Sequence, residues 1–581
     1  MSQKKIKKLR ALQQAKEIEH IKIETKDEIK DGFFDIIIKH WKFLLFLLIG
    51  VVLIYLNSVN GHFVSDDYAT ITQNPDILNF KVMTGGLNTM FISNYLLALF
   101  FGVTSPLPFH LLNLVLFLFL SILVFAVIYK IFGKKTAIFT TILFAFSPIN
   151  VEVVSWISGR IYTILAIYIM LGFMAFLNYL ETGKGKYLFY LSLFFVLAFL
   201  TDKPRPFALI FLMVLYVAYK GIDRYKDKIN KIKPYVVSLL ILFAVLAIPY
   251  IKNRVVTVNS GTNFSESIFY NPFFQYPTGI AKYLQLIVFP VDLTLYHTLY
   301  VFPVFLNWMI LLTFLALIVY FWNRDKRYFF ALVFFLVVLA PSMAPVKVSW
   351  LVAERYAVFP SLGIFLFIGL LLESLDKKVK NLPYLILFLV IPLMAWRIYL
   401  RNIDWQTNHN LWVRTVQYSH NSHNAWNNIG DDYDKLEDYE NAIKGFGMSY
   451  KTKENYADAY HNQANIYFKI ERYDLARNGY ETALALNPGL YQSYISLVQV
   501  AIRQGDFLGA EAYADKLLVS QPNNSQALYV KAYTLLVQDK VQDAINYLQS
   551  ALKIDPNYAP AVNLLNQIQA ELGNQQQLPT E

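Results

Sequence analysis

Apolar runs close to twenty residues long recur from Trp41 to about Leu400, separated by short polar breaks. A helix of that length crosses the hydrocarbon core of a bilayer. In order, the runs predict about eleven spans, from "FLLFLLIGVVLIYL" to "PYLILFLVIPLMAW". Lys and Arg concentrate in "YKIFGKK", "ETGKGK", "KGIDRYKDKINKIK", "WNRDKR" and "ESLDKKVK", which close the second, fourth, sixth, eighth and tenth runs. With the N-terminus in the cytoplasm, all these loops fall on the cytoplasmic face, as the positive-inside bias requires. Residues 1–41 then read as a basic cytoplasmic tail without a cleavable signal, and the first run as an uncleaved anchor. Residues 58–108 form a long extracytoplasmic loop, in which "SNYLLALFFG" is too short to cross and is expected to lie on the bilayer surface. Residues 252–278 read as a polar loop, and "AKYLQLIVF" after it as interfacial.

The pattern changes after Arg401. Residues 402–423 read as a linker, 424–573 as a second domain and 574–581 as a disordered tail. Gly430, Ala464, Val498 and Ala532 recur every 34 residues, and so do Ala442, Ala476, Ala510 and Ala544. Pro488, Pro522 and Pro556 keep the same period. Small residues where two helices cross, and a Pro that cannot continue the preceding helix, make this the tetratricopeptide pattern. Four repeats are expected, closed by a solvating helix in "YAPAVNLLNQIQAEL". An irregular helical bundle is the alternative. Either way the chain is all-α; the expected architecture is a polytopic helical domain followed by an α-solenoid that binds peptides or proteins.

Composition narrows the chemistry. Of 581 residues, 56% are hydrophobic and 16% charged, and none is Cys. That excludes disulfides, thiolate zinc sites and cysteine nucleophiles. The net charge of +11 belongs to cytoplasmic loops on this reading and not to nucleic-acid binding.

Ionisable groups near a bilayer pair, face water or act. Four clusters fall at the extracytoplasmic ends of the spans: Asp66 and Asp67 with Asn74; His110 and Asn113; Glu152 and Arg160; and Glu354, Arg355 and Tyr356. Lys203 and Arg205 in "TDKPRP" join them. Carboxylates and bases gathered at one membrane face suit a transferase with a lipid-linked substrate. One carboxylate takes the proton of an acceptor hydroxyl, and Arg or Lys holds a phosphate leaving group. Each cluster also admits a structural reading. The paired acids serve equally as solvated loop residues or helix caps. His110 and Asn113, one helical turn apart, serve as partners of each other or of a neighbouring backbone. Glu152 and Arg160 make an ion pair, Glu354 and Arg355 pair elsewhere in different directions, and Lys203 and Arg205 anchor the interface.

The segments "FVSDDYATITQNPDI", "FHLLNLVLF", "SPINVEVVSWISGR" and "AERYAVFPSLG", in this order and before tetratricopeptide repeats, resemble the tetratricopeptide-containing protein O-mannosyltransferases (TMTC) and their bacterial relatives, of the GT-C class. The resemblance covers nearly all of the chain beyond the first forty residues. It implies a GT-C membrane domain and a sugar donor on a polyprenyl phosphate, used outside the cytoplasm in an inverting displacement. It also implies a protein or cell-envelope glycan as acceptor. Asp66 takes the place of the first motif acid and is the expected base or acceptor-positioning carboxylate, with Asp67 and Glu152 as further catalytic acids. Arg160, Lys203, Arg205 and Arg355 are the expected phosphate binders, supported by Asn74, His110, Asn113, Glu354 and Tyr356. A divalent Mg²⁺ or Mn²⁺, if used, would sit at Asp66 and Asp67. The sequence departs from the family at "TGGLNTM", at "RIYTIL" after Arg160 and at "DKPRP", which leaves donor sugar and acceptor open. Its Lys-, Ile- and Asn-rich character looks bacterial, so a plasma-membrane location with extracytoplasmic repeats is expected. A non-enzymatic membrane scaffold is the competing function. A transporter, which wants ionisable groups at mid-membrane, fits less well. An enzyme requires Asp66, Glu152 and Arg355 to converge on one cavity.

Overall fold

The computed structural model describes residues 31–79, 88–238, 241, 245, 248, 271–298, 302–343 and 350–575. The chain divides into two compact units, Met1–Leu411 and Trp412–Glu581. Among the described residues it is helical throughout, with no strand.

The first unit contains α1 (Phe33–Tyr55), α2 (Thr89–Phe101), α3 (Leu107–Phe132), α4 (Lys134–Ala145), α5 (Val151–Ser155), α6 (Arg160–Thr182), α7 (Lys186–Thr201), α8 (Phe207–Lys220), α9 (Pro272–Val288), α10 (Val304–Arg324), α11 (Lys326–Leu339), α12 (Glu354–Lys378) and α13 (Leu382–Asp404). Among the described residues, seven helices are long and apolar enough to cross a bilayer: Phe33–Asn60, Leu107–Phe132, Ile157–Thr182, Val304–Arg324, Lys326–Met343, Glu354–Lys378 and Leu382–Asp404. A bent pair, Lys134–Ala145 with Pro148–Ser155, makes an eighth candidate. The fifth and sixth expected spans are the shorter apolar helices α7 and α8. The seventh, "VVSLLILFAVLAIPY", lies largely outside the described residues, as do residues 1–30 and most of "TGGLNTM". Helix α1 starts at Phe33, within the stretch read as a tail.

Lipid-facing and protein-facing sides separate clearly. On α1 the buried stripe is Ile36, Leu44, Leu47 and Val51, while Phe34, Ile38, Phe46 and Leu53 are exposed. An apolar exposed face is costly in water and natural in lipid. On the protein side, small residues let backbones meet. A Cβ at Gly363 of α12 would stand 2.7 Å from the Ala331 carbonyl of α11.

Two details shape the polar end of the unit. The α4 line bends by 55° before α5. Pro148 cannot continue the helix, Ser147 caps the new turn, and Asn150 Nδ2 donates to the freed Phe144 carbonyl at 2.6 Å. The bend turns Glu152 into the protein, where it is fully buried. The polar loop expected to reach Thr278 gives way at Pro272 to α9, begun by the Asn271 side chain capping the Phe273 N–H. "AKYLQLIVF" belongs to that helix, with Ile280, Ala281, Tyr283, Leu286 and Ile287 packed inside.

In the second unit, helices pair as His423–Lys435 with Tyr439–Thr452, Ala457–Lys469 with Tyr473–Leu486, Tyr491–Arg503 with Phe507–Ser520, and Ser525–Leu536 with Val541–Ile554. Ala559–Gln575 follows. The division between units falls after Leu411, inside the stretch read as a linker, which holds a helix at Asn408–Tyr418. A Cβ at Gly445 would stand 2.8 Å from the Gly430 Cα, so the first pair crosses with no room for side chains. Each pair turns through one left-handed residue, Glu437, Glu471, Gly505 and Asp539, again at a spacing of 34.

Candidate active site

The two adjacent acids of the first loop have different surroundings. Asp67 is buried. Its carboxylate accepts from the Val64 N–H at 3.1 Å, the Ser158 N–H at 2.9 Å and the Ser158 hydroxyl at 2.5 Å. Burial pushes its pKa up to about 7, against the pull of those donors. Asp66 is exposed. Its carbonyl accepts from the Thr70 N–H at 3.0 Å and the Thr70 hydroxyl at 2.8 Å, while its carboxylate has no hydrogen bond among the described residues. Surrounding protein raises its pKa, and the charge of Arg355 opposes that shift.

Arg355 opens α12 beside Glu354, and the two side chains diverge. Arg355 Nη1 donates to Glu152 Oε1 at 2.5 Å, and its backbone N–H to Oε2 at 2.8 Å. Glu354 Oε1 accepts from Arg401 Nη2 at 3.0 Å and lies 3.5 Å from His297 Nε2. Arg401 also reaches Asp404 at 3.1 Å. Trp156 stacks on Trp405 with ring centres 5.8 Å apart, and Arg355 lies 5.6 Å from Trp156 while Arg401 lies 5.5 Å from Trp405.

Arg205 pairs with Asp202 and donates from Nε to Ser342 Oγ at 3.2 Å. Its guanidinium sits 4.7 Å from the Tyr356 ring and 5.2 Å from Tyr162, and that of Arg355 sits 5.1 Å from Tyr356. These stacks fix two cations around one aromatic pair. Arg205, Arg355, Ser342, Tyr162 and Tyr356 line the polar side of a small cavity. Leu165, Ile169, Val338 and Phe359 line its apolar side. Among the described residues, Nη2 of neither arginine has a protein acceptor.

Other expected residues lie elsewhere. Arg160 is fully buried and does not line the cavity. It donates to Asn113 Oδ1 at 2.6 Å, Ser93 Oγ at 2.8 Å, Asn94 Oδ1 at 3.1 Å and the Phe109 carbonyl at 3.0 Å. It ties α2 and α3 to α6, and its ion pair with Glu152 does not form. Asn113 also donates to the carbonyls of Val154 and Trp156 at 3.2 and 2.8 Å. His110 is buried against Gly61, where a Cβ would stand 3.1 Å from its ring. Asn74 caps its own turn, accepting from the Asp76 N–H at 3.0 Å. Lys203 is exposed. Among the described residues no three His, Asp or Glu side chains converge as a metal ligand set.

Residues 89–250 match the family model described as "Dolichyl-phosphate-mannose-protein mannosyltransferase". Residues 457–490 and 495–559 match tetratricopeptide repeat models. The human protein O-mannosyl-transferase TMTC3 is 21% identical over 88% of this chain, and its mouse counterpart 24% identical over 36%. The chain spans 64% of the human relative's length and 25% of the mouse relative's. The crystal structure of MamA protein is 18% identical over 27% of this chain and 86% of its own, with a TM-score of 0.24. That of YrrB is 17% identical over 33% of this chain and 96% of its own, also at 0.24.

The chain is TMTC-like. It joins a GT-C-type, multi-pass membrane domain to tetratricopeptide repeats. In this TMTC-like site, several partners carried no signal in the sequence. Ser158 lies 91 residues from Asp67 and Arg401 lies 47 from Glu354. Asp202 entered the sequence reading only as a departure from the family, yet it is the partner of Arg205.

Proposed function

We propose that the chain is a membrane glycosyltransferase, moving a sugar from a polyprenyl-phosphate donor to a protein or cell-envelope acceptor on the extracytoplasmic side. The repeats hold the acceptor or a partner. One observation carries the reading: Arg205 and Arg355 line a small cavity with an apolar wall; Asp66 and Glu152 do not line it, and Glu152 reaches it through its pair with Arg355. The free Nη2 groups of Arg205 and Arg355 suit a phosphate, and the apolar side suits the first units of a prenyl chain. Asp66 takes the acceptor's hydroxyl proton as that oxygen attacks the anomeric carbon. The bond from that carbon to the phosphate oxygen breaks, the polyprenyl phosphate leaves with its electron pair, and the sugar inverts. The arginines stabilise the growing phosphate charge. Glu152 holds Arg355 in place. Asp67 holds the loop that carries Asp66, and Arg160 and Asn113 hold the helices around it.

A scaffold without activity draws support from the saturation of Asp67 and Arg160 by protein partners. A transfer assay divides the two readings: protein in lipid, a panel of polyprenyl-phosphate sugars, envelope extract as acceptor, and Asp66→Asn and Arg355→Gln beside wild type. Loss of transfer with folding kept in Asp66→Asn supports the enzyme. Equal transfer removes Asp66 as base, and partner assembly independent of both residues favours the scaffold.

A further inference from the structure

The backbone that presents Asp66 is fixed at three successive residues. Asp67 is locked by Val64 and Ser158. The Asp66 carbonyl is locked by Thr70. Ser65 is left-handed, with φ of 53°, a conformation that a residue with a side chain adopts only when its surroundings hold it there. Its N–H donates to Asn408 Oδ1 at 2.9 Å. Asn408 lies just beyond the end of α13, in the stretch "NIDWQTNHN" from Asn402 to Asn410.

That stretch runs along the loop as a strap. Asn402 Nδ2 donates to Asn57 Oδ1 at 2.7 Å, and its Oδ1 accepts from Ser155 Oγ at 2.8 Å. Gln406 Nε2 donates to the Asn57 carbonyl at 3.3 Å, and its own carbonyl accepts from the His62 N–H at 2.8 Å. Asn408 is the last of these fasteners and touches the residue next to Asp66.

We propose that Asn408 is a positioning residue: by accepting from the Ser65 N–H it holds the left-handed turn that aims the Asp66 carboxylate. The proposal rests on Asp66 being the base of the transfer reaction. An acceptor at position 408 is what the turn needs, so Asp should replace Asn there and Ala should not. Glycine adopts a left-handed conformation without the side-chain penalty, so Ser65→Gly should offset the loss of the bond.

The test uses the full chain in lipid, with Asn408→Ala, Asn408→Asp, Ser65→Gly/Asn408→Ala and Asp66→Asn. Amide exchange over residues 62–68 should rise about tenfold in Asn408→Ala, the scale of one lost hydrogen bond, and stay at the wild-type level in Asn408→Asp. In transfer, Asn408→Ala should lower kcat about tenfold with donor KM unchanged, and the double variant should regain most of it. A merely structural role would lower the yield of folded protein, leave turnover per folded molecule unchanged and give no rescue by glycine. Unchanged exchange in Asn408→Ala overturns the proposal, whether or not a donor sugar is found. Wild-type kcat in Asn408→Ala beside a dead Asp66→Asn overturns it and leaves the base standing. Full activity in Asp66→Asn overturns both.

Discussion

Replacing the two neighbouring acids of the first loop one at a time should separate chemistry from architecture. Asp67→Ala removes the acceptor for two buried backbone N–H groups, those of Val64 and Ser158. The Ser158 hydroxyl keeps an alternative partner in Thr70 Oγ1 at 3.3 Å. Each orphaned N–H costs about 1–3 kcal/mol. Relief from burying a carboxylate offsets part of that sum, since burial holds the Asp67 pKa near 7. A net loss of about 2 kcal/mol remains, read as a fall of several degrees in the unfolding midpoint of detergent-purified protein. Asp67→Asn keeps an oxygen for Ser158 and should be milder. A raised carboxyl pKa opposes folding once the group ionises, so wild type should lose stability relative to Asp67→Asn as pH rises from about 4 to 7. Asp66→Asn breaks no bond of the carboxylate and should shift stability by less than about 0.5 kcal/mol, while transfer activity falls to background. The reasoning is refuted if Asp66→Asn melts as early as Asp67→Ala, or if Asp67→Ala melts with wild type.

Three further outcomes are expected. Arg401→Met leaves Glu354 buried without its paired guanidinium and should destabilise by about 3–5 kcal/mol, whereas Glu354→Gln/Arg401→Met should recover most of the loss, as thermal scans of the two variants would show. Glu471→Gly places glycine at a left-handed position, φ 61°, and should stabilise the repeats by about 1 kcal/mol, measured by denaturant unfolding of the repeat unit's signal. The rate of transfer should rise with pH through an Asp66 pKa above the usual carboxylate range. In Arg355→Gln that limb should move to still higher pH, because the lost cation favoured the ionised base.

The repeats were legible because their physics is local and periodic: every helix crossing needs a small residue, and Gly430, Ala464 and Ala476 stand where crossings occur. The long spans were legible because a bilayer imposes one length and one polarity. Helices α7 and α8 are apolar but short, so hydropathy found them without fixing whether each crosses. The acids and bases were legible as candidates because charge near a bilayer is rare. Their division of labour was not. Nothing in "SDD" distinguishes the acid that Ser158 will bury from the one left open. Glu152 and Arg160, neighbours in sequence, suggested a pair. Packing gives Glu152 to Arg355, 203 residues away, and surrounds Arg160 with neutral acceptors. The first half of α9 was missed because Gln275 and Thr278, polar residues that suggest a loop, are buried on it.

The divergence of Glu354 and Arg355 has a consequence for how the chain is made. A ribosome delivers Glu152 long before Arg355, 203 residues later, and Glu354 47 residues before Arg401. Until those arginines emerge, each carboxylate waits in or near the membrane without its counter-charge, and a buried lone charge is costly. The membrane unit therefore reaches electrostatic closure only when the end of α13 arrives, just before the repeats are translated.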